Sequence, residues 1–160
     1  MSDALALTPA GSTPGLFILF APDGRIEALY RGTAAEAALQ AARGWRILGP
    51  VAGPADPAAD LALDPAVQYV DPETATLRER PACPAEIDRT KIAADGAEVV
   101  TLSGLPVPAT VIVARDGLNR ARVIAVPDGE LVWDTDLPGT YTFTVQGWPW
   151  RDGLFTVTAR

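Results

Sequence analysis

The chain has 160 residues and a formal net charge of −7, which leaves room for one large domain or two small ones. Hydrophobic residues make up 48% of it and charged residues 21%, so the composition excludes a disordered chain and provides for a buried core. The 13 basic residues are scattered, and their densest group is Arg78-Glu-Arg80. We therefore expect no nucleic-acid partner and no basic surface for anionic lipid.

The chain begins with residues 1–15, rich in Ala, Thr, Pro and Gly, which we interpret as a flexible lead-in. Leu16–Phe20 is a continuous apolar run short enough for a buried strand. Turn residues ending at Gly24 follow, and then a roughly alternating segment that ends at Arg31. This pattern predicts a β-hairpin at the start of a module that covers residues 16–52.

A short helix is predicted next, because Thr33 and Glu36 have the spacing of a capping box. Alanine-rich sequence continues this helix, and Gly44 lies where a helix-ending glycine belongs. The segment Trp45–Gly49 predicts a third strand. The result is a small N-terminal ββαβ module. It buries little area by itself, so we expect it to be stabilised by contacts with a neighbouring part of the protein or with another chain.

Residues 53–84 are predicted to be a linker that contains a short central hairpin. The hairpin strands are Gln68–Val70 and Ala75–Arg78, joined by turn residues. Cys83 is the one cysteine of the chain and lies between two prolines, so no internal disulfide is available. We interpret it as an incidental small residue, because a reactive thiol needs a cationic neighbourhood.

Residues 85–160 predict an antiparallel immunoglobulin-like β-sandwich, which makes the protein mainly β. Asp-Gly and Pro-Gly turn signals separate seven strands at spacings typical of such a sandwich. Tyr141 follows Pro138-Gly-Thr140 and is placed like a tyrosine corner. The predicted strands are Ile87–Ile92, Glu98–Ser103, Thr110–Ala114, Arg122–Val126, Glu130–Thr135, Tyr141–Gln146 and Leu154–Ala159.

The residue inventory predicts no catalytic, cofactor or metal site. The chain has no histidine, which removes the usual general base and every Ser-His or Cys-His pairing. With one cysteine and no histidine it also lacks the ligands of a zinc site. Carboxylates remain, and a Ca²⁺ site in an Asp turn is left open. We interpret these residues as turn caps and solvent-facing groups: Asp71, Asp95, Asp116, Asp128, Glu130, Asp134 and Asp136.

The candidate partner-binding residues are Trp148, Trp150 and Arg151, which lie between the last two predicted strands. One interpretation is that the two tryptophans close the open end of the sandwich. The other is an aromatic anchor for a protein or glycan, because Trp and Arg are favoured at binding hot spots.

In the order of these pieces the chain resembles small proteins associated with the tail fibre or tail tip of tailed bacteriophages. The resemblance covers nearly all of the chain from Leu16 onward and depends on the motifs in combination. It implies a virion protein made in the cytoplasm of a bacterial host, and it supplies no functional residues. The motifs are Asp23-Gly-Arg-Ile26, Tyr69-Val-Asp71, Leu77-Arg-Glu-Arg-Pro81, Leu102-Ser-Gly-Leu-Pro-Val-Pro-Ala-Thr-Val111, Pro138-Gly-Thr-Tyr-Thr-Phe-Thr-Val145 and Trp148-Pro149.

The sequence therefore predicts a non-enzymatic structural virion protein, an accessory tail-fibre or tail-tip component. Its N-terminal part would dock to other virion proteins and its sandwich would project outward, in many copies or as a homo-oligomer. Two alternatives stay open. One is a head decoration protein, and the other is a carbohydrate- or host-surface-binding module that uses Trp148 and Trp150. We expect no membrane insertion, because no apolar run approaches the roughly 18 residues that a membrane helix needs.

Overall fold

The structure is a computed structural model that describes residues 14–52 and 63–160. It is mainly β, which confirms the coarse prediction of the fold. The chain divides into two compact units, Met1–Glu79 and Arg80–Arg160, called here the first and second units. Most of the predicted lead-in, residues 1–13, and the first ten residues of the predicted linker, 53–62, lie outside the described residues.

The first unit contains a three-stranded antiparallel sheet in the order β2-β1-β3. All six residues of the central strand are buried, as expected for a continuous apolar run with a neighbour on each side. One helix, α1, lies between the second and third strands in the chain. The elements are β1 (Gly15–Phe20), β2 (Ile26–Gly32), α1 (Ala34–Ala41) and β3 (Arg46–Ala52).

Helix α1 begins with the predicted capping box. The Glu36 amide donates to Thr33 Oγ1 at 3.2 Å, and Glu36 Oε2 accepts the Thr33 amide at 2.8 Å. Two donors at the helix start are thereby satisfied by local side chains. Ala37 on this short helix is buried in the unit.

The central hairpin packs into the first unit. Val70 is fully buried in a cluster with Ile18 and Phe20 of β1. Its amide donates to the Gly24 carbonyl at 2.9 Å, and a side chain at Gly24 would overlap the Val70 carbonyl. A glycine is therefore required where the β1–β2 turn meets the hairpin. The hairpin strands are β4 (Gln68–Asp71) and β5 (Thr76–Glu79).

The second unit contains two sheets. One has five strands in the order β10-β9-β12-β13-β7, and the other has three in the order β11-β8-β6. The pairs are antiparallel except for β13 and β7, which are parallel. The strands are β6 (Glu86–Ile87), β7 (Lys91–Ile92), β8 (Val100–Ser103), β9 (Ala109–Arg115), β10 (Ala121–Val126), β11 (Leu131–Trp133), β12 (Gly139–Gln146) and β13 (Gly153–Ala159).

The predicted single strand Ile87–Ile92 was wrong, because the segment divides into β6 and β7, which belong to different sheets. Asp88 lies at the break, and its Oδ1 accepts the Thr101 amide at 2.8 Å. A side-chain acceptor there replaces a ladder bond and lets the chain cross from one sheet to the other.

Buried side chains of both sheets form one core. In β12 the residues Tyr141, Phe143 and Val145 are buried and alternate with threonines, as the sequence predicted. The Trp133 ring lies 4.7 Å from that of Tyr141, centroid to centroid. The Tyr141 hydroxyl donates to the Leu137 carbonyl at 2.8 Å, a bond to the backbone four residues upstream of the kind that a tyrosine corner makes.

Candidate partner-binding loop

The three candidate residues lie in the loop that joins β12 to β13, residues 147–152, called here the Trp-Pro-Trp loop. Trp148 and Trp150 are half-buried and Arg151 is exposed. The Trp148–Pro149 peptide bond is cis. The loop therefore presents part of two indole surfaces and one guanidinium to solvent, while the binding role of these residues stays a prediction.

The Arg80 side chain binds the backbone of this loop. Its Nε donates to the Pro149 carbonyl at 3.0 Å, and its Nη2 donates to the Trp150 carbonyl. The guanidinium carbon lies 5.0 Å from the centroid of the Trp148 ring, within the range of a cation–π contact. An ion pair of 3.9 Å joins Arg80 to Asp152. Only 13% of the Arg80 side chain is exposed, so one nearly buried cation organises the whole loop.

The flanks of the loop are fixed by further bonds. The Arg151 amide donates to the Pro81 carbonyl at 2.8 Å, next to the arginine that holds the loop. Gln146 Nε2 donates to Asp152 Oδ2 at 2.9 Å, which joins the two ends of the loop. These contacts tie both ends and the tip of the loop to the second unit.

Close approach of Cys83 explains the glycine that begins β13. A Cβ on Gly153 would lie 2.7 Å from Cys83 Sγ, closer than van der Waals contact permits. The thiol is free, half-buried and packed against the core. Cys83 thus fills space beside the loop, as a small hydrophobic side chain does.

Arg80 is the residue that sequence reasoning missed. It belongs to the densest basic group of the chain and precedes Pro81, and both features are typical of an exposed linker. Its partners lie about seventy positions later in the chain, with separations of 69 and 70 residues. A contact at such a distance leaves no local pattern in one sequence.

Two carboxylates of the predicted Asp turns, those of Asp71 and Asp95, accept backbone amides. Bonds from the amides of Ala97 and Glu98 lower the pKa of Asp95, and a bond from the Glu73 amide lowers that of Asp71. Each bond satisfies a turn donor and favours the ionised carboxylate. Among residues 14–52 and 63–160, three or more His, Cys, Asp or Glu side chains nowhere meet as a metal-binding group.

A groove of about 760 Å³ opens at one end of the second unit, away from the residues singled out in the sequence as a partner site. Trp133 and Tyr141 contribute to its floor. Carboxylates and guanidinium groups both occur along its walls, so it carries no uniform charge. The charged residues lining it are Asp95, Asp134, Asp136, Arg115, Arg120 and Arg122.

No protein-family model, no curated protein and no solved structure matches this chain. In the described part of the chain, no helix has the length and apolar character needed to cross a membrane.

Proposed function

We propose that this protein is a non-enzymatic structural component of a bacteriophage particle, an accessory tail-fibre or tail-tip protein that binds its partner through the Trp-Pro-Trp loop. The observation that carries the binding role is the preorganisation of this loop by Arg80. A loop that is ordered before binding loses less conformational entropy when it meets its partner. Partly exposed Trp148 and Trp150 beside an exposed Arg151 have the composition of a binding hot spot.

The second unit is proposed to be an immunoglobulin-like sandwich. In chain order, β6 to β13 correspond to strands A, A′, B, C, C′, E, F and G. They form an A-B-E sheet and an A′-G-F-C-C′ sheet, an order that supports this assignment. The tyrosine corner at Tyr141 supports it further. Such a domain presents the F–G loop, here the Trp-Pro-Trp loop, at one end of the sandwich.

The first unit is proposed to be a ββαβ docking module extended by the central hairpin. Its central cluster among the described residues contains Ile18, Phe20 and Val70, whereas the core of the second unit contains 14 buried residues. A small core gives the unit little stability by itself. This favours the proposal that the unit is stabilised by docking to a partner protein on the particle. If many copies are displayed on one particle, the weak contacts made by each second unit act together and give the particle strong attachment.

The proposal is tested by locating the protein on purified particles with gold-labelled antibody. We expect label at the tail fibre or tail tip. Label on capsids that lack tails would instead indicate head decoration, and no label on any particle would refute the virion role.

The binding role is tested separately with charge reversal in the loop. We expect Arg151→Glu to weaken host attachment of the particle at least 10-fold, because the substituted residue is exposed beside both tryptophans. Arg120→Glu is the matched control, since Arg120 is an exposed arginine of the same unit outside the loop. Equal effects of the two substitutions would refute the role of the loop. Saturable glycan binding that is lost in Trp150→Ala would identify the partner as a carbohydrate.

A further inference from the structure

The groove at one end of the second unit has a positive wall and a negative wall. Every guanidinium group that lines it comes from the hairpin of β9 and β10, which belongs to the five-stranded sheet. Every carboxylate that lines it comes from the β7–β8 loop or the β11–β12 loop, which connect the two sheets. Charges of opposite sign are therefore segregated on different elements of the fold.

The strand register places the positive wall between the two sheets. Arg122 is opposite Val113, and Arg115 is opposite Tyr141. Residues directly opposite one another in antiparallel strands have their side chains on the same side of the sheet, and both Val113 and Tyr141 belong to the buried core. The two arginines therefore extend from the core-facing side of the five-stranded sheet. Arg122 is nevertheless exposed, so the space between the sheets is open to solvent at this end.

The charges of the two walls do not neutralise one another. In the part of the chain that the structure describes, the side chains of Arg122, Asp134 and Asp136 make no hydrogen bond and no ion pair. The guanidinium of Arg122 is therefore farther from both carboxylates than the roughly 4 Å of an ion pair. Opposite charges that are held apart in this way are complementary to a ligand that itself carries charges of both signs.

Hydrogen bonds hold the walls of the groove in place. The Gly96 amide donates to the Thr135 carbonyl at 3.1 Å, which ties the two acidic loops together. Arg115 Nη2 donates to the Pro138 carbonyl at 2.6 Å, which ties the positive wall to the β11–β12 loop. A site that is formed before its ligand arrives loses less conformational entropy on binding.

The groove also has an apolar part. Trp133 and Tyr141 contribute to its floor, and Leu118 and Leu137 line it with 55% and 51% of their surface exposed. Its volume of about 760 Å³ lies within the range of protein ligand sites. The occupant that matches these features has an apolar group as well as an acidic and a basic group, a combination that peptides supply and sugars do not.

We propose that this groove binds a peptide segment of a partner protein, in which an apolar side chain lies between an acidic and a basic one. The acidic side chain pairs with Arg122, whose planar guanidinium matches a carboxylate. The basic side chain pairs with Asp134 and Asp136, and the apolar side chain packs against Leu137. A segment with balanced charge is not repelled by the net charge of −7, whereas an acidic glycan is.

This peptide site is separate from the Trp-Pro-Trp loop. Leu137 and Tyr141 flank the start of β12, whereas the loop follows its end at Gln146. The eight residues of the strand span roughly 25 Å, so one copy has room for both partners at once. Failure of the peptide site would therefore leave the proposed attachment role untouched.

The test is isothermal titration calorimetry of the full chain with two blocked tripeptides, acetyl-Glu-Leu-Lys-amide and acetyl-Lys-Leu-Glu-amide, which cover both chain directions. We expect at least one to bind with a dissociation constant of about 0.1–1 mM. Replacing its Glu or its Lys by Gln should weaken binding at least threefold, because a contact between charges is lost. In two-dimensional amide NMR spectra, the peptide should shift signals of residues 115–122 and 134–137 and leave those of residues 147–152 unchanged.

Reversal of the negative wall tests the charge assignment. The double variant Asp134→Lys, Asp136→Lys should bind acetyl-Glu-Leu-Glu-amide at least 10-fold more tightly than the unmodified chain does, and should bind the mixed peptide more weakly. The matched control is Asp128→Lys, Glu130→Lys, which makes the same change of charge at two exposed residues outside the groove. This control should keep the preference of the unmodified chain.

Three outcomes would overturn the proposal. The first is the absence of saturable binding of either mixed peptide at about 5 mM. The second is an equal change of preference in the two double variants, which would indicate a general effect of charge. The third is tighter binding of glucuronic acid than of the peptides at the same residues, which would identify the occupant as an acidic sugar.

Discussion

Replacing Arg80 by alanine is expected to destabilise the second unit by roughly 2–4 kcal/mol. The change removes two hydrogen bonds from a charged donor, each contributing about 1.5–3 kcal/mol, although the freed carbonyls recover part of this from water. The cation–π contact with Trp148 adds about 0.5–1 kcal/mol. The ion pair with Asp152 adds little, because 48% of the Asp152 side chain is exposed. For a unit of this size the melting temperature should fall by roughly 10–30 °C.

Urea denaturation followed by tryptophan fluorescence measures this loss, because three of the four tryptophans lie in the second unit. Arg151→Ala is the matched control in the same loop and should change the free energy of unfolding by about 0.5 kcal/mol or less. Arg80→Lys should recover less than half of the loss, since an ammonium cannot bond both carbonyls with the geometry of a guanidinium. A cost below about 0.5 kcal/mol for Arg80→Ala, or full recovery in Arg80→Lys, would refute the role assigned to this side chain.

Three further substitutions test the second unit. Tyr141→Phe should lower the free energy of unfolding by about 1–3 kcal/mol in urea titration, because the carbonyl at the tyrosine corner loses its donor. A hydrogen bond from the Thr101 amide lowers the pKa of Asp88. Acid titration followed by circular dichroism should therefore show a loss of stability as the pH falls below about 4. Asp88→Asn should make the stability less dependent on pH in this range. Gly153→Ala should lower the free energy of unfolding by about 1–3 kcal/mol, because the added methyl group overpacks against Cys83. Adding Cys83→Ala to the same chain should restore part of this free energy. An unchanged loss in the double variant would contradict the contact between the two residues.

Local sequence patterns predicted the elements of the fold well. The apolar run at Leu16–Phe20, the capping box at Thr33 and the alternation around Phe143 all carry their structural signal within a few residues. Turn, cap and burial preferences act over one or two turns of chain, which is why they can be recognised without an alignment. The division of the Ile87–Ile92 segment was missed, because both halves have the same strand-like composition.

The candidate site was predicted only in part. Trp148 and Trp150 were singled out because two large aromatics around a proline are conspicuous in any sequence. Nothing nearby indicated that Arg80 contacts both the backbone and an indole ring of their loop. Val70 was likewise assigned to a linker hairpin, whereas its burial depends on β1, some fifty residues earlier.

The sequence by itself determined that this protein is mainly β, where most of its strands lie, and which residues of β12 face the core. The tertiary structure alone decided which strands are neighbours, and thereby that Arg80 supports the Trp-Pro-Trp loop. The physical reason is one of range. Backbone propensity and side-chain alternation are local, whereas strand order and long-range hydrogen bonds depend on how distant segments close around a shared core.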